Sequence, residues 1–182
     1  MNDTDQMPHI PAIGVRHQGV LLATHALNLG DHELALEVAR GFSDRFLRAN
    51  YMGSALLRLK GGAEARPLYV EALRHASDCA SQAAALSNLA YSLFCEGQRE
   101  PALETILASL AVHRGAAMPY IVAATIAGHL GDHAVVNSVA DSAASAFKKS
   151  VLRKVLTVMK RDPECEPFCQ SPAFSRLLAA AS

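Results

Sequence analysis

The cysteines are the first residues to consider for chemistry, because a thiolate can act as a nucleophile or a metal ligand. Cys165 and Cys169 stand four positions apart and could supply half of a zinc site. Structural zinc needs four ligands, usually two such pairs or cysteines combined with histidines. Cys79 and Cys95 are far apart in the sequence and form no second pair. The spacing therefore predicts no metal, and the thiols are interpreted as packing residues or free surface groups.

Two histidines have a spacing that could support a site. His129 and His133 would share one face if a single helix carried both. Gly131-Asp132 lies between them and predicts a turn instead. The same Leu-Gly-Asp-His string ends at His32. Because a residue repeated at equivalent turns indicates architecture, no ligand or catalytic base is assigned here.

The sequence motifs of common enzyme classes are missing. Gly61-Gly62 lacks the spaced glycines and the Lys-Ser/Thr of a phosphate-binding loop. We find no serine nucleophile elbow and no His-Glu zinc motif. The sequence predicts a protein that is not an enzyme, with no catalytic residue and no cofactor.

The bulk composition predicts one soluble domain or one short repeat array. The chain has 182 residues, and its 17 basic and 17 acidic residues cancel. This balance argues against nucleic acid held by overall charge. No apolar run reaches the roughly 18–20 residues that span a bilayer, so no membrane contact is expected. The N-terminal residues lack the pattern of a secretion signal, and we expect a cytoplasmic protein with reduced thiols.

Helical periodicity is the strongest pattern. Between 83 and 114, two amphipathic helices face each other across Glu96-Gly97-Gln98. Similar pairs are predicted at 15–29 and 32–40, at 44–60 and 63–76, and at 119–130 and 133–147. Pro67 lies about one turn inside its helix and predicts a late start or a kink.

Small residues recur at one position in the first helix of each pair, where they allow a partner helix to approach closely. They are Ala23, Gly53, Ala90 and Ala124. The matching second-helix residues are Ala35, Ala65, Ala102 and Val136. Their separations are 30, 37 and 34 residues, and we attribute the long interval to extra linker residues at 77–79.

A period of 34 is that of the tetratricopeptide repeat (TPR). On the residues above, the chain between 15 and 147 resembles the TPR family, although most of the large aromatic residues of the family pattern are missing. The resemblance implies an all-α, right-handed α-α superhelix, a TPR-like solenoid of about four helix pairs. Each pair would stack on its neighbours and bury a continuous core.

The pattern after 147 resembles the tail that closes some TPR arrays. A helix over 148–161 is followed by an Asp-Pro turn and a Pro-x-Phe-x-x-Leu-Leu helix. A solenoid needs such a cap because its last unit otherwise exposes an apolar face. The predicted domains are a flexible arm over 1–13, TPR-like repeats over 14–147 and C-terminal capping helices over 148–182.

In the TPR family, the first helices of successive units line a concave groove that holds a peptide or a helix. The resemblance places in it Asn28, Asn50, Leu57, Arg58, Asn88, Tyr91, Phe94, Met118 and Ile121. Arg58 is their one fixed charge, which argues against the cationic grip that some TPR proteins use for acidic C-terminal tails. The apolar members could anchor a bound segment while the Asn side chains bond its backbone. They could equally complete the core between repeats.

We therefore expect a non-catalytic protein–protein interaction module, an adaptor or chaperone-like scaffold that binds a peptide or helix of a protein partner. One alternative is a homo-oligomeric scaffold in which repeats stack end to end. Another is a regulatory protein that contacts nucleic acid through the basic helix 148–161. Its cations are Lys148, Lys149, Arg153, Lys154, Lys160 and Arg161. A solvated outer face would explain these cations as well.

Overall fold

The computed structural model describes residues 12–182, with side chains from residue 17 onward. Most of the predicted flexible arm, residues 1–11, lies outside the described residues. Within the described range the chain is all-α and contains no strand. The helices are α1 (Ala12–Leu29), α2 (His32–Arg40), α3 (Arg45–Lys60), α4 (Gly62–His75), α5 (Cys79–Cys95), α6 (Arg99–Val112), α7 (Ala117–Leu130), α8 (His133–Ala146), α9 (Lys149–Met159), α10 (Glu166–Cys169) and α11 (Pro172–Ala181), with a 3-10 turn (Pro163–Cys165) before α10.

The first eight helices form four consecutive pairs. Each helix packs against its neighbours in sequence, and α1, α3, α5 and α7 also contact one another in that order. The first helices of the pairs thus form one continuous layer, as in a helical solenoid. The predicted all-α solenoid is confirmed.

The two Leu-Gly-Asp-His turns connect α1 to α2 and α7 to α8. Gly30 and Gly131 have φ values of 79° and 67°, in the left-handed region that favours glycine. The carboxylate of Asp132 accepts a hydrogen bond from the Val135 N–H at 3.0 Å, and Asp31 caps α2 in the same way. These bonds satisfy N–H groups that have no partner inside the helix.

Helix α4 runs unbroken through its proline. It begins at Gly62 and contains Pro67, so the predicted late start is wrong. Proline lacks an N–H group and gives up the bond to the carbonyl four residues earlier, at Ala63. That loss falls close to the helix start, where the rest of α4 packs against α3 and α5.

Helix α5 begins at Cys79, four residues before the predicted start. A capping box explains the early start. The Asp78 carboxylate accepts from the Ser81 N–H at 2.7 Å, and the Ser81 hydroxyl accepts from the Asp78 N–H at 3.2 Å. The long interval between repeats therefore extends α5 and does not lengthen a linker.

Small residues lie where paired helices approach most closely. Ala23 and Ala90 are fully buried, and Ala124 is 2% exposed. A Cβ atom at Gly53 would lie 2.7 Å from the Cε1 atom of Tyr69. The sequence-based prediction of close packing at these positions is confirmed.

The apolar core is uneven along the solenoid. One cluster extends from α5 to α11 and includes Ile106, Ile126 and Phe168. Two small clusters in the first half are each built on three buried alanines. At the C-terminal end, α10 packs against α7, and α11 packs against α8 and α9. The tail thus covers the last helix pair.

Candidate binding groove

The first helices of the pairs line a concave cavity of about 270 Å³. Its lining residues are Leu27, Asn28, His32, Ser54, Leu57, Arg58, Tyr69, Asn88, Tyr91, Met118, Ile121, Val122, Thr125, Asp162 and Glu164. We call this cavity the groove. It joins α1, α3, α5 and α7 to the 3-10 turn of the tail.

Seven of the nine residues predicted for the groove line it. Asn50 and Phe94 do not. Asn50 lies behind the lining and accepts a hydrogen bond from it. The Phe94 ring packs against the ring of His129, with centroids 5.1 Å apart. The family resemblance therefore identified most of the cavity wall, while the role of these residues in binding stays a prediction.

An amide pair connects α3 to α5 beside the groove. The Asn88 side-chain nitrogen donates to the Asn50 side-chain oxygen at 2.9 Å. This bond uses one donor hydrogen of Asn88 and one acceptor site of Asn50. The Asn88 oxygen and the Asn50 nitrogen keep capacity for a further bond. The pair can therefore offer both an acceptor and a donor to the backbone of a bound segment.

The tail closes one end of the groove. The Tyr91 hydroxyl donates to Oε2 of Glu164 at 2.6 Å, and Nε2 of His129 lies 2.9 Å from the Glu164 carbonyl oxygen. The Thr125 hydroxyl lies 3.2 Å from the Cys165 sulfur. Burial, with Glu164 as the next cause, raises the pKa of Tyr91 above its usual range, so the hydroxyl stays protonated as a donor. We call residues 162–165, which form this wall, the strap.

Sequence reasoning missed the strap. Glu164 and Asp162 belong to the stretch that was interpreted only as an Asp-Pro turn of the cap. Nothing in the local sequence indicates that this turn folds back to Tyr91, 73 residues earlier. A tyrosine and a carboxylate in distant segments carry no periodic signal.

Charge is sparse in the groove. Among the lining residues that the structure describes, Arg58 carries the one fixed positive charge. Its guanidinium carbon lies 5.8 Å from the centroid of the Tyr91 ring, within the range of a cation–π contact. The carboxylates of Asp162 and Glu164 lie at the same end. The electrostatics do not form a cationic clamp.

The histidines and cysteines with suggestive spacing do not converge on a metal site. In the part of the chain that the structure describes, no group of three or more His, Cys, Asp or Glu could hold a metal ion. Cys165 is buried, and burial raises its thiol pKa to about 11. His32 lines the groove, and its buried Nδ1 has no hydrogen-bond partner among the described residues.

The basic helix is a structural part of the cap. Leu152, Leu156 and Met159 of α9 are buried. Nε of Arg153 donates to the Ala181 carbonyl oxygen at 2.6 Å, so one predicted contact residue holds α11. Lys160 lies 5.8 Å from the Phe174 ring centroid. These contacts favour the interpretation of α9 as a capping helix with a solvated face.

Known structures share this arrangement of helices. A crystal structure of MamA matches with a TM-score of 0.56 and 11% identity, over 87% of this chain and 94% of that one. A structure of MamA AMB-1 matches with a TM-score of 0.52 and 13% identity, over 92% and 97%. A MamA mutant gives 0.54 and 13%, over 93% of both chains.

MamA is a TPR-like helical protein. The present chain has a TPR-like fold. At this low identity the likeness concerns the fold only. No family model matches the sequence, and no curated protein matches it.

The helices of the described region were also compared with the requirements of a membrane span. Not one of them is both long enough and apolar enough to cross a bilayer.

Proposed function

We propose that this protein is a non-catalytic interaction module that holds a segment of a partner protein in the groove. The observation that carries the proposal is the convergence of seven independently predicted residues on one cavity. They come from all four first helices, so a bound segment would contact every repeat. The TPR-like fold of MamA is consistent with a scaffold role.

The groove favours an extended segment with apolar side chains. Leu57, Ile121 and Met118 supply apolar surface, and Met118 is 58% exposed in the free protein. A flexible, exposed methionine suits a surface that adapts to a ligand. The amide pair of Asn50 and Asn88 lies beside these residues, where it can bond the backbone of the segment.

The strap limits what can enter. Glu164 closes the groove at α7, so a bound chain must end or turn there. A cavity of about 270 Å³ has room for a few side chains and none for a long helix. We therefore infer a short extended peptide, a loop or a chain end as the ligand. We also infer a cytoplasmic location, which four unpaired thiols support.

The test compares the intact protein with Leu57→Ala/Met118→Ala in capture from native cytosol, read by mass spectrometry. The matched control is Leu107→Ala, which removes a leucine that is 38% exposed on α6 and does not line the groove. A partner captured by parent and control but lost from the groove variant is the expected result. The captured segment is then titrated as a synthetic peptide.

In that titration we expect the groove variant to bind on the order of tenfold more weakly, the effect of about 1.4 kcal/mol. The control should match the parent. Equal binding by all three proteins would show that the partner uses another surface, and the groove proposal would then be wrong.

A further inference from the structure

The register of the repeats shows which face each first helix uses against the preceding pair. The residue two positions after the small residue is Ala55 in α3, Ser92 in α5 and Ile126 in α7, and all three are 0% exposed. Ala55 packs with Ala35 of α2. Ile126 belongs to the same cluster as residues of α6. Each first helix therefore buries this position against the second helix before it.

Helix α1 presents the same face without such a partner. The equivalent residue, His25, is exposed. Leu21 and Leu29 lie four residues on either side of it, on one helical stripe, and are 57% and 71% exposed. Leu22, beside the stripe, is 46% exposed. We call these four residues the α1 face.

The opposite end of the solenoid cannot receive this face. In head-to-tail stacking, α1 of one copy would pack against α8 of the next. Helix α11 already packs against α8, and buries Ala173, Phe174 and Leu177 in the shared core. An open filament of stacked repeats is therefore blocked by the cap.

The α1 face suits contact with a copy of itself. In an isologous contact each side chain meets its own symmetry mate or a near neighbour, so any charge on the face would meet a like charge. Residues 17–29 contain no Asp, Glu, Lys or Arg. An exposed apolar stripe of this kind on a helix marks an interaction site.

We propose that two copies of this chain pair through their α1 faces about a twofold axis. The pairing covers Leu21, Leu22 and Leu29 with the same residues of the second copy. It is closed, because both α1 faces are used and both opposite ends carry a cap. The groove is not needed for the contact, so this inference is independent of the proposed ligand.

The experiment is sedimentation velocity of the full chain over a concentration series. We expect a species of twice the 19.4 kDa chain mass that dissociates on dilution and does not grow further. The test variant is Leu21→Lys/Leu29→Lys. Both side chains are mostly exposed in the single chain, so its circular dichroism should match the parent. Its dissociation constant should rise on the order of tenfold or more, since like charges would meet across the contact.

The matched control is Leu178→Lys, at a leucine of α11 that is 39% exposed. It should dimerise like the parent. A complementary variant, Leu21→Glu/Leu29→Glu, should form mixed dimers when combined with the lysine variant, because opposite charges then face each other.

Three outcomes would overturn the proposal. A parent that stays monomeric across the series would show that the α1 face has another occupant, such as residues 1–11 or a different protein. A dimer unaffected by the lysine variant would place the contact elsewhere. Mass that grows steadily with concentration would show open stacking in place of a closed pair.

Discussion

At the scale of single residues, Tyr91 and Phe94 have a structural role that the sequence did not indicate. Both were predicted as groove anchors. Tyr91 bonds the strap at Glu164, and Phe94 packs against the ring of His129. Replacing both by alanine would therefore damage the wall of the groove as well as any ligand contact, and Leu57 is the better probe of binding.

Tyr91→Phe tests the strap at one atom. It keeps the ring and removes a 2.6 Å hydrogen bond to a carboxylate. At this half-buried site we expect a loss of about 1 kcal/mol, or roughly 2–4 °C in Tm. Cys165, 1% exposed and next to Glu164, should react faster with a thiol reagent, as followed by peptide mass spectrometry.

The matched control for that experiment is Tyr51→Phe. The Tyr51 hydroxyl lies 2.8 Å from the Thr24 hydroxyl in the first half of the chain, far from the strap along the solenoid. It should leave the Cys165 reaction rate unchanged. If Tyr91→Phe also leaves this rate unchanged, the bond to Glu164 does not hold the strap in place.

The residues that could be predicted are those whose cause is local. Asp132 caps α8 because it follows a turn glycine and precedes an apolar run, and both signals lie within a few positions. Glu164 could not be predicted, since its position depends on how the whole tail folds back onto α7. His32 was assigned to a turn and also lines the groove, because the neighbouring pairs curve toward it.

At the scale of helices, close approach depends on small residues at fixed positions. Ala90 is fully buried in the cluster that also contains Ala102 and Ile106 of α6. The helix pairs could be predicted from the period of such residues, and their starts were less certain. Helix α5 gained four residues because the Asp78–Ser81 capping box is a local hydrogen-bond pattern that periodicity does not reveal.

Ala90→Leu should be strongly destabilising. The added side chain has no space between α5 and α6, and overpacking of this kind costs roughly 1–3 kcal/mol. Thermal unfolding followed by circular dichroism should show a clear drop in Tm. Ala108→Leu, at an exposed position of α6, has a similar helix propensity and should melt like the parent. If the two variants melt alike, the repeat register is wrong.

At the scale of the whole molecule, stability should increase from the first pair to the cap. The large core cluster covers α5 to α11, whereas the first half relies on small alanine clusters. Buried apolar area is the main favourable term in folding, so the first pairs should open more often than α7. The sequence showed four pairs but not this gradient, because the tail adds its core through long-range contacts.

Hydrogen–deuterium exchange measures the gradient. We expect the slowest exchange in α7, which carries eight buried residues, and the fastest in α1 and α2. The experiment should use the Leu21→Lys/Leu29→Lys chain, so that contact between copies cannot protect α1. Uniform exchange from α2 to α8 would instead indicate a single cooperative unit.

The bond between Tyr91 and Glu164 also has a mechanical consequence. It joins residues 73 positions apart in a molecule whose other contacts mostly connect neighbouring helices. A pull on the tail would load this bond before α7 and α8 separate from α5, so the second half should resist force as one block. The first half has no such latch and should peel away pair by pair. Bending would then concentrate between α4 and α5, which makes that junction the hinge by which the groove widens or narrows.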